Sequence, residues 1–134
     1  MATSTLTLYS DTTNTEQFDL SGTEGKTTQW VGASSTPSLP VSFDFTRDAK
    51  AIGNMSNDRY YYSVKRSATA TAQAAVRTSS ATLQVSTAKD PSSGATLLVD
   101  AQAALVELIS YVTGAAPTAT TVANCAKLVA GQAL

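Results

Sequence analysis

The chain has 134 residues, 43% hydrophobic and 14% charged, with nine Lys and Arg against ten Asp and Glu. That length fits one domain with a sizeable core and excludes two ordinary ones, and a thinly charged surface of Ser, Thr and Ala suits a protein packed against copies of itself. The absence of histidine removes the commonest general base and metal ligand, and a lone cysteine, Cys125, excludes an internal disulfide framework.

The opening segment, MATSTLTLYSDTT, has neither a basic start nor an apolar core, so no secretory signal is expected. No apolar run approaches the roughly 20 residues of a membrane-spanning helix, and the expected site of synthesis and residence is the cytoplasm. TSTLTLYS alternates Leu6 and Leu8 against Thr5 and Thr7, EQFDL alternates Phe18 and Leu20, and the polar DTTN between them predicts a hairpin. SGTEGK predicts the next turn, with Gly22 and Gly25 as its permissive positions. TTQWVGAS reads as a third strand ended by the Pro37 and Pro40 loop.

PVSFDFTR is the clearest strand, with Val41, Phe43 and Phe45 on one face and Ser42, Asp44 and Thr46 on the other. After the loop DAKAIGNMSND comes RYYYSVKR. Its alternation places Tyr60, Tyr62 and Val64 on an inward face, and Arg59, Tyr61, Ser63 and Lys65 on the opposite one. Arg66 and Arg77 fall on the inward parity unless the strand ends bend, so only part of the basic set can share one face. SATATAQAA reads as a small-residue link. In the following strand Leu83 and Val85 look inward while Thr82, Gln84 and Ser86 look outward.

At DPSSG the period changes. Asp90 or a following serine can cap a helix and Pro91 is tolerated in its first turn. Leu98, Ala101, Leu105, Leu108 and Val112 then recur at spacings of three and four, an apolar stripe for packing within the chain or across a dimer. Gly114 stops that helix. A shorter one carries Val122, Cys125, Ala126 and Val129 on one face, with Gly131 near its end. Cys125 reads as a small core residue, since no histidine is present to activate it. The fold class is therefore α+β: an N-terminal β-hairpin (1–21), an antiparallel β-sheet meander (27–89) and two C-terminal α-helices (90–134) in a single domain. Such a meander needs its apolar face covered, either by its own helices or by those of a dimer partner.

Enzyme chemistry has little to stand on. No phosphate loop, dinucleotide fingerprint, Cys-x-x-Cys or zinc helix motif occurs, and pairs such as Asp44 with Asp48 or Asp100 with Glu107 have no acid–base arrangement. Neither a cofactor nor a metal is expected. Charge is more informative: residues 59–89 hold Arg59, Lys65, Arg66, Arg77 and Lys89 with no acid, while residues 1–58 hold seven acids against three bases. A basic sheet face bearing a tyrosine is a platform for single-stranded or hairpin RNA, although strands also carry solvated Arg, Lys and Tyr without any ligand.

Chain length and element order resemble the coat proteins of single-stranded RNA bacteriophages of the levivirus type. The resemblance rests on the hairpin TLTLYSDTTNTEQFDL, the meander VSFDFTR, RYYYSVKR and SATLQVSTAK, and the helices LLVDAQAALVELISYV and TTVANCAKLVAG. It implies an interlocked dimer with a continuous sheet, helices packed over the partner's sheet, and assembly of dimers into an icosahedral virion within the host cytoplasm. It also implies an inner sheet face that holds genomic RNA, here Arg59, Tyr61, Ser63, Lys65, Thr82, Gln84 and Ser86. Asp44 departs from that chemistry, because a carboxylate repels phosphate. SATATAQAA would be the variable loop at the shell axes. The partners implied are the chain itself and RNA, with no membrane. Two other readings remain open at this point: a fimbria-like β-rich adhesion module, and a small RNA-binding domain that does not assemble.

Overall fold

The computed structural model describes residues 4–48, 57–70, 75–89 and 97–132. Six strands precede two helices: β1 (Thr5–Tyr9), β2 (Thr15–Glu24), β3 (Thr27–Gly32), β4 (Val41–Asp48), β5 (Asp58–Ala70), β6 (Ala75–Thr87), α1 (Leu98–Thr113) and α2 (Ala119–Val129). The strands form one sheet in sequence order, β1 to β6, and the first three pairings are antiparallel. The expected α+β meander with C-terminal helices is the architecture found.

The chain divides into two compact units, one built mainly from Thr3–Thr46 and Tyr61–Leu83, the other from Arg47–Tyr60 and Gln84–Leu134. In the first, Leu6 pairs with Phe18, Phe18 with Gly32 and Trp30 with Phe43, which brings the alternating apolar residues to one face. Phe18 and Trp30 are buried, and Phe43 meets both rings edge-on at centroid distances of 6.5 and 5.5 Å. Gly32 sits inside this cluster because a Cβ there would stand 2.9 Å from Val41 Cγ1. Phe45 stacks on Tyr62 at 5.0 Å.

In the second unit the core gathers Tyr60, Val85, Thr87, Leu105, Cys125 and Val129. Thr87 Oγ1 donates to the Val129 carbonyl at 3.2 Å, satisfying a buried hydroxyl at the end of α2. Gly131 then turns the chain at φ 78°, where a side chain would collide with the Tyr60 ring. Burial pushes the Cys125 thiol pKa up, in keeping with a core role.

Several boundaries differ from the sequence expectation. SGTEGK is not all turn: β2 continues to Glu24 through an irregularity between Leu20 and Gly22, and only Gly25, at φ 60°, turns the chain. SATATAQAA is not all link either, since β5 runs to Ala70 and β6 starts at Ala75. Its residues 71–74 lie outside the described residues, as do the helix start expected at Asp90 and Pro91 and most of DAKAIGNMSND. The α2 cap is Thr118, whose hydroxyl accepts from the Thr121 N–H, and Gly114 ends α1 at φ 68° as expected.

Candidate nucleic-acid interface and assembly surface

The period-2 pattern of RYYYSVKR is written into burial. Tyr60 and Tyr62 are buried, Arg59 and Lys65 are exposed, and Tyr61, Ser63 and Val64 are half-buried. On β6, Thr82, Gln84 and Ser86 are exposed while Val85 and Thr87 are buried. The first unit contains Tyr61, Ser63, Lys65 and Thr82 of the candidate set, and there Thr82 Oγ1 donates to Ser63 Oγ at 3.1 Å. The second contains Arg59, Gln84 and Ser86, where Asn57 Nδ2 donates to Ser86 Oγ at 2.9 Å.

The acid-free run is much less cationic in three dimensions than in sequence. Lys65 Nζ lies 3.8 Å from Asp44 Oδ2, which also accepts from Ser42 Oγ at 3.1 Å. Arg66 Nη1 lies 3.4 Å from Glu16 Oε1 on β2. Lys89 Nζ lies 3.1 Å from Asp58 Oδ1, with both side chains largely buried. No aligned hydrogen bond reaches that oxygen among the described residues, so charge holds the pair. Among the described residues Arg59 and Arg77 have no ion-pair partner, which leaves two of the five cations uncompensated. Asp44, which the sequence marks as out of place on a phosphate-binding face, has its counterion in Lys65.

Glu16 joins three segments, a feature the sequence does not announce. Its carboxylate accepts from the Ser34 hydroxyl, from the Ser34 N–H at 2.9 Å and from Arg66. The Ser34 hydrogen bond is the main reason its pKa lies below the usual glutamate value. At the β1–β2 turn Asp11 accepts from the Thr13 and Asn14 N–H groups at 2.8 and 2.7 Å, and these lower its pKa to about 2. On the apolar face Arg47 stands 5.9 Å from the Tyr60 ring centroid, and burial raises the Tyr60 pKa.

The apolar stripe of α1 is only partly consumed within the chain. Leu105 is 5% exposed and Ala101 half-buried, but Leu98, Leu108 and Val112 are 39, 48 and 74% exposed. Tyr111, at 85%, joins them. A groove of about 130 Å³ lies beside this face, lined by Gln84, Val85 and Ser86 of β6 and by Ala101, Ala104, Leu105 and Leu108 of α1. Since β6 ends the sheet, one side of that strand has no neighbouring strand among the described residues.

No protein-family model matches the chain, and no curated protein does. Among solved structures it is similar to the virus-like particle of bacteriophage AVE019, at a TM-score of 0.54 and 14% identity, over 88% of this chain and 100% of that one. At that identity the likeness is one of fold: this chain has the fold of a subunit that, in that structure, belongs to a phage particle.

Proposed function

We propose that the chain is a structural coat protein of an RNA bacteriophage of the levivirus type. It assembles through dimers into a closed icosahedral shell in the host cytoplasm, and catalyses nothing. The observation that carries this reading is the coincidence of an edge strand, β6, with an uncovered apolar helix face, Leu108, Tyr111 and Val112, in a fold like that of a phage particle subunit. Pairing β6 with a second β6 satisfies both sets of edge groups and continues the sheet, which is the self-complementary contact a two-fold axis requires. The same contact carries α1 onto the second copy. Burying there the part of Leu108 and Val112 still exposed contributes about 1–2 kcal/mol each. RNA lies against the polar face that includes Arg59, Tyr61, Ser63, Lys65, Thr82, Gln84 and Ser86, with no cofactor.

Leu108→Asp separates this reading from a non-assembling domain. The side chain is half-exposed in the single chain, so the variant folds, but a carboxylate cannot be buried in the dimer contact without a partner. Light scattering after size exclusion is expected to give a large assembly for the parent and a folded 13.8 kDa monomer for the variant. A parent that elutes as a monomer refutes assembly. A variant that still assembles refutes the α1 face as the contact.

A further inference from the structure

The polar side chains of the sheet do not form one uniform phosphate platform. In the first unit, the register places Asp19 opposite Val31, Gln29 opposite Asp44 and Glu24 opposite Thr27, so three carboxylates stand on the same side of β2, β3 and β4. Asp19 and Glu24 are exposed. Among the described residues Lys65 is the one cation in contact with this group, and it is paired to Asp44. A cavity of about 510 Å³ opens on these strands, lined by Ser21, Glu24, Thr27, Gln29 and Asp44. Three carboxylates against one ammonium leave the strip net negative, and its concave shape focuses that field.

The second unit has the opposite chemistry at Arg59. Arg59 is exposed and has no ion-pair partner among the described residues. Its sequence neighbour Asp58 is buried and neutralised by Lys89, and Asp48 is half-buried with an interaction of its own. Ser86 Oγ accepts from Asn57, which leaves its own O–H to donate, and the Gln84 amide is exposed. A guanidinium with a hydroxyl and an amide donor fits phosphate oxygens of a single strand.

We propose that the polar surface is divided: single-stranded RNA is held by Arg59 with Gln84 and Ser86, and is repelled from the acidic strip of Asp19, Glu24 and Asp44. This rests on the reading that the chain encloses RNA, and it departs from that reading in giving Lys65 no phosphate contact. Lys65 is spent on Asp44. Arg77 falls on the opposite parity of β6 from Gln84 and Ser86, so the division makes RNA contact sparse, about one uncompensated cation per chain on that face, and therefore steeply dependent on the number of chains engaged.

The test is a fluorescence-anisotropy titration of the full-length protein with an oligouridylate at several salt concentrations. Arg59→Ala is expected to flatten the slope of log affinity against log salt by about 0.7 per lost contact. Lys65→Ala is expected to leave the slope unchanged. Asp19→Asn combined with Glu24→Gln, both at exposed positions that leave the fold intact, is expected to raise affinity about threefold or more. The proposal is overturned if Lys65→Ala flattens the slope as much as Arg59→Ala, or if the double variant binds no better than the parent. A parent that assembles and binds no RNA under any condition overturns the RNA part of the function together with this division. RNA binding with the wrong ranking overturns the division alone.

Discussion

Three of the five cations between Arg59 and Lys89 are held by carboxylates that stand outside that run or at its border: Lys65 by Asp44, Arg66 by Glu16 and Lys89 by Asp58. The alternation of RYYYSVKR could be read from one dimension, because side-chain parity is local. The charge balance could not, because it depends on which strands the sheet brings together. Arg66 illustrates the point: its parity alone marks it as a misfit on the inward face, and its partner lies 50 positions away. Asp11 is the clearest single-residue prediction. Its carboxyl is lowered to about 2 by hydrogen bonds that exist only in the folded hairpin turn. A depressed carboxylate contributes stability above its unfolded pKa and loses it as pH falls through the folded one, so the turn stays closed at pH 4 and loosens toward pH 2. An NMR titration of the Asp11 carboxyl carbon is expected to show a midpoint near 2. A midpoint at the ordinary value of 3.8 would show that the turn is not capped in solution.

The strands and helices followed from periodicity where one face is apolar, as in β4 and α1. They were less legible where strand residues are small and polar. β2 past Leu20 and the distal ends of β5 and β6 carry Ser, Thr, Gly and Ala, whose composition resembles that of loops. Their strand state comes from hydrogen-bonded neighbours, as in Thr23 Oγ1 with Thr28 Oγ1 at 3.1 Å and Ser67 Oγ with Thr78 Oγ1 at 3.0 Å. The α1 stripe was legible as a pattern but not in its use, since spacing does not tell a cover within the chain from a cover across copies. Between elements in the second unit, the Asp58–Lys89 pair fastens the start of β5 to the residues after β6. Lys89→Met leaves a buried carboxylate unpaired and is expected to cost about 3 kcal/mol in urea unfolding. Lys127→Met, at an exposed position on α2, is expected to cost under about 1 kcal/mol. Equal losses from the two variants would mean that the buried pair does not hold these elements.

For the molecule as a whole, the low charge fraction, the partly uncovered helix and the terminal position of β6 form one pattern. A chain of this length hides Trp30, Phe18 and Val129 on its own, yet leaves Leu108, Tyr111 and Val112 to water. In the proposed assembly, covering those side chains and the β6 edge with a second copy would satisfy apolar and hydrogen-bonding groups together, and repetition of the unit would give a shell. In the proposed shell the RNA contribution would be small per chain and large per particle, because few cations are uncompensated in each copy. The most direct measurement is electron cryomicroscopy of the protein purified after expression alone in bacteria. Closed shells of uniform size, in which two chains join β6 to β6 with α1 lying on the neighbouring copy, are the predicted result. A dispersed 13.8 kDa species, or shells whose subunits meet through other surfaces with α1 exposed to solvent, would contradict the account.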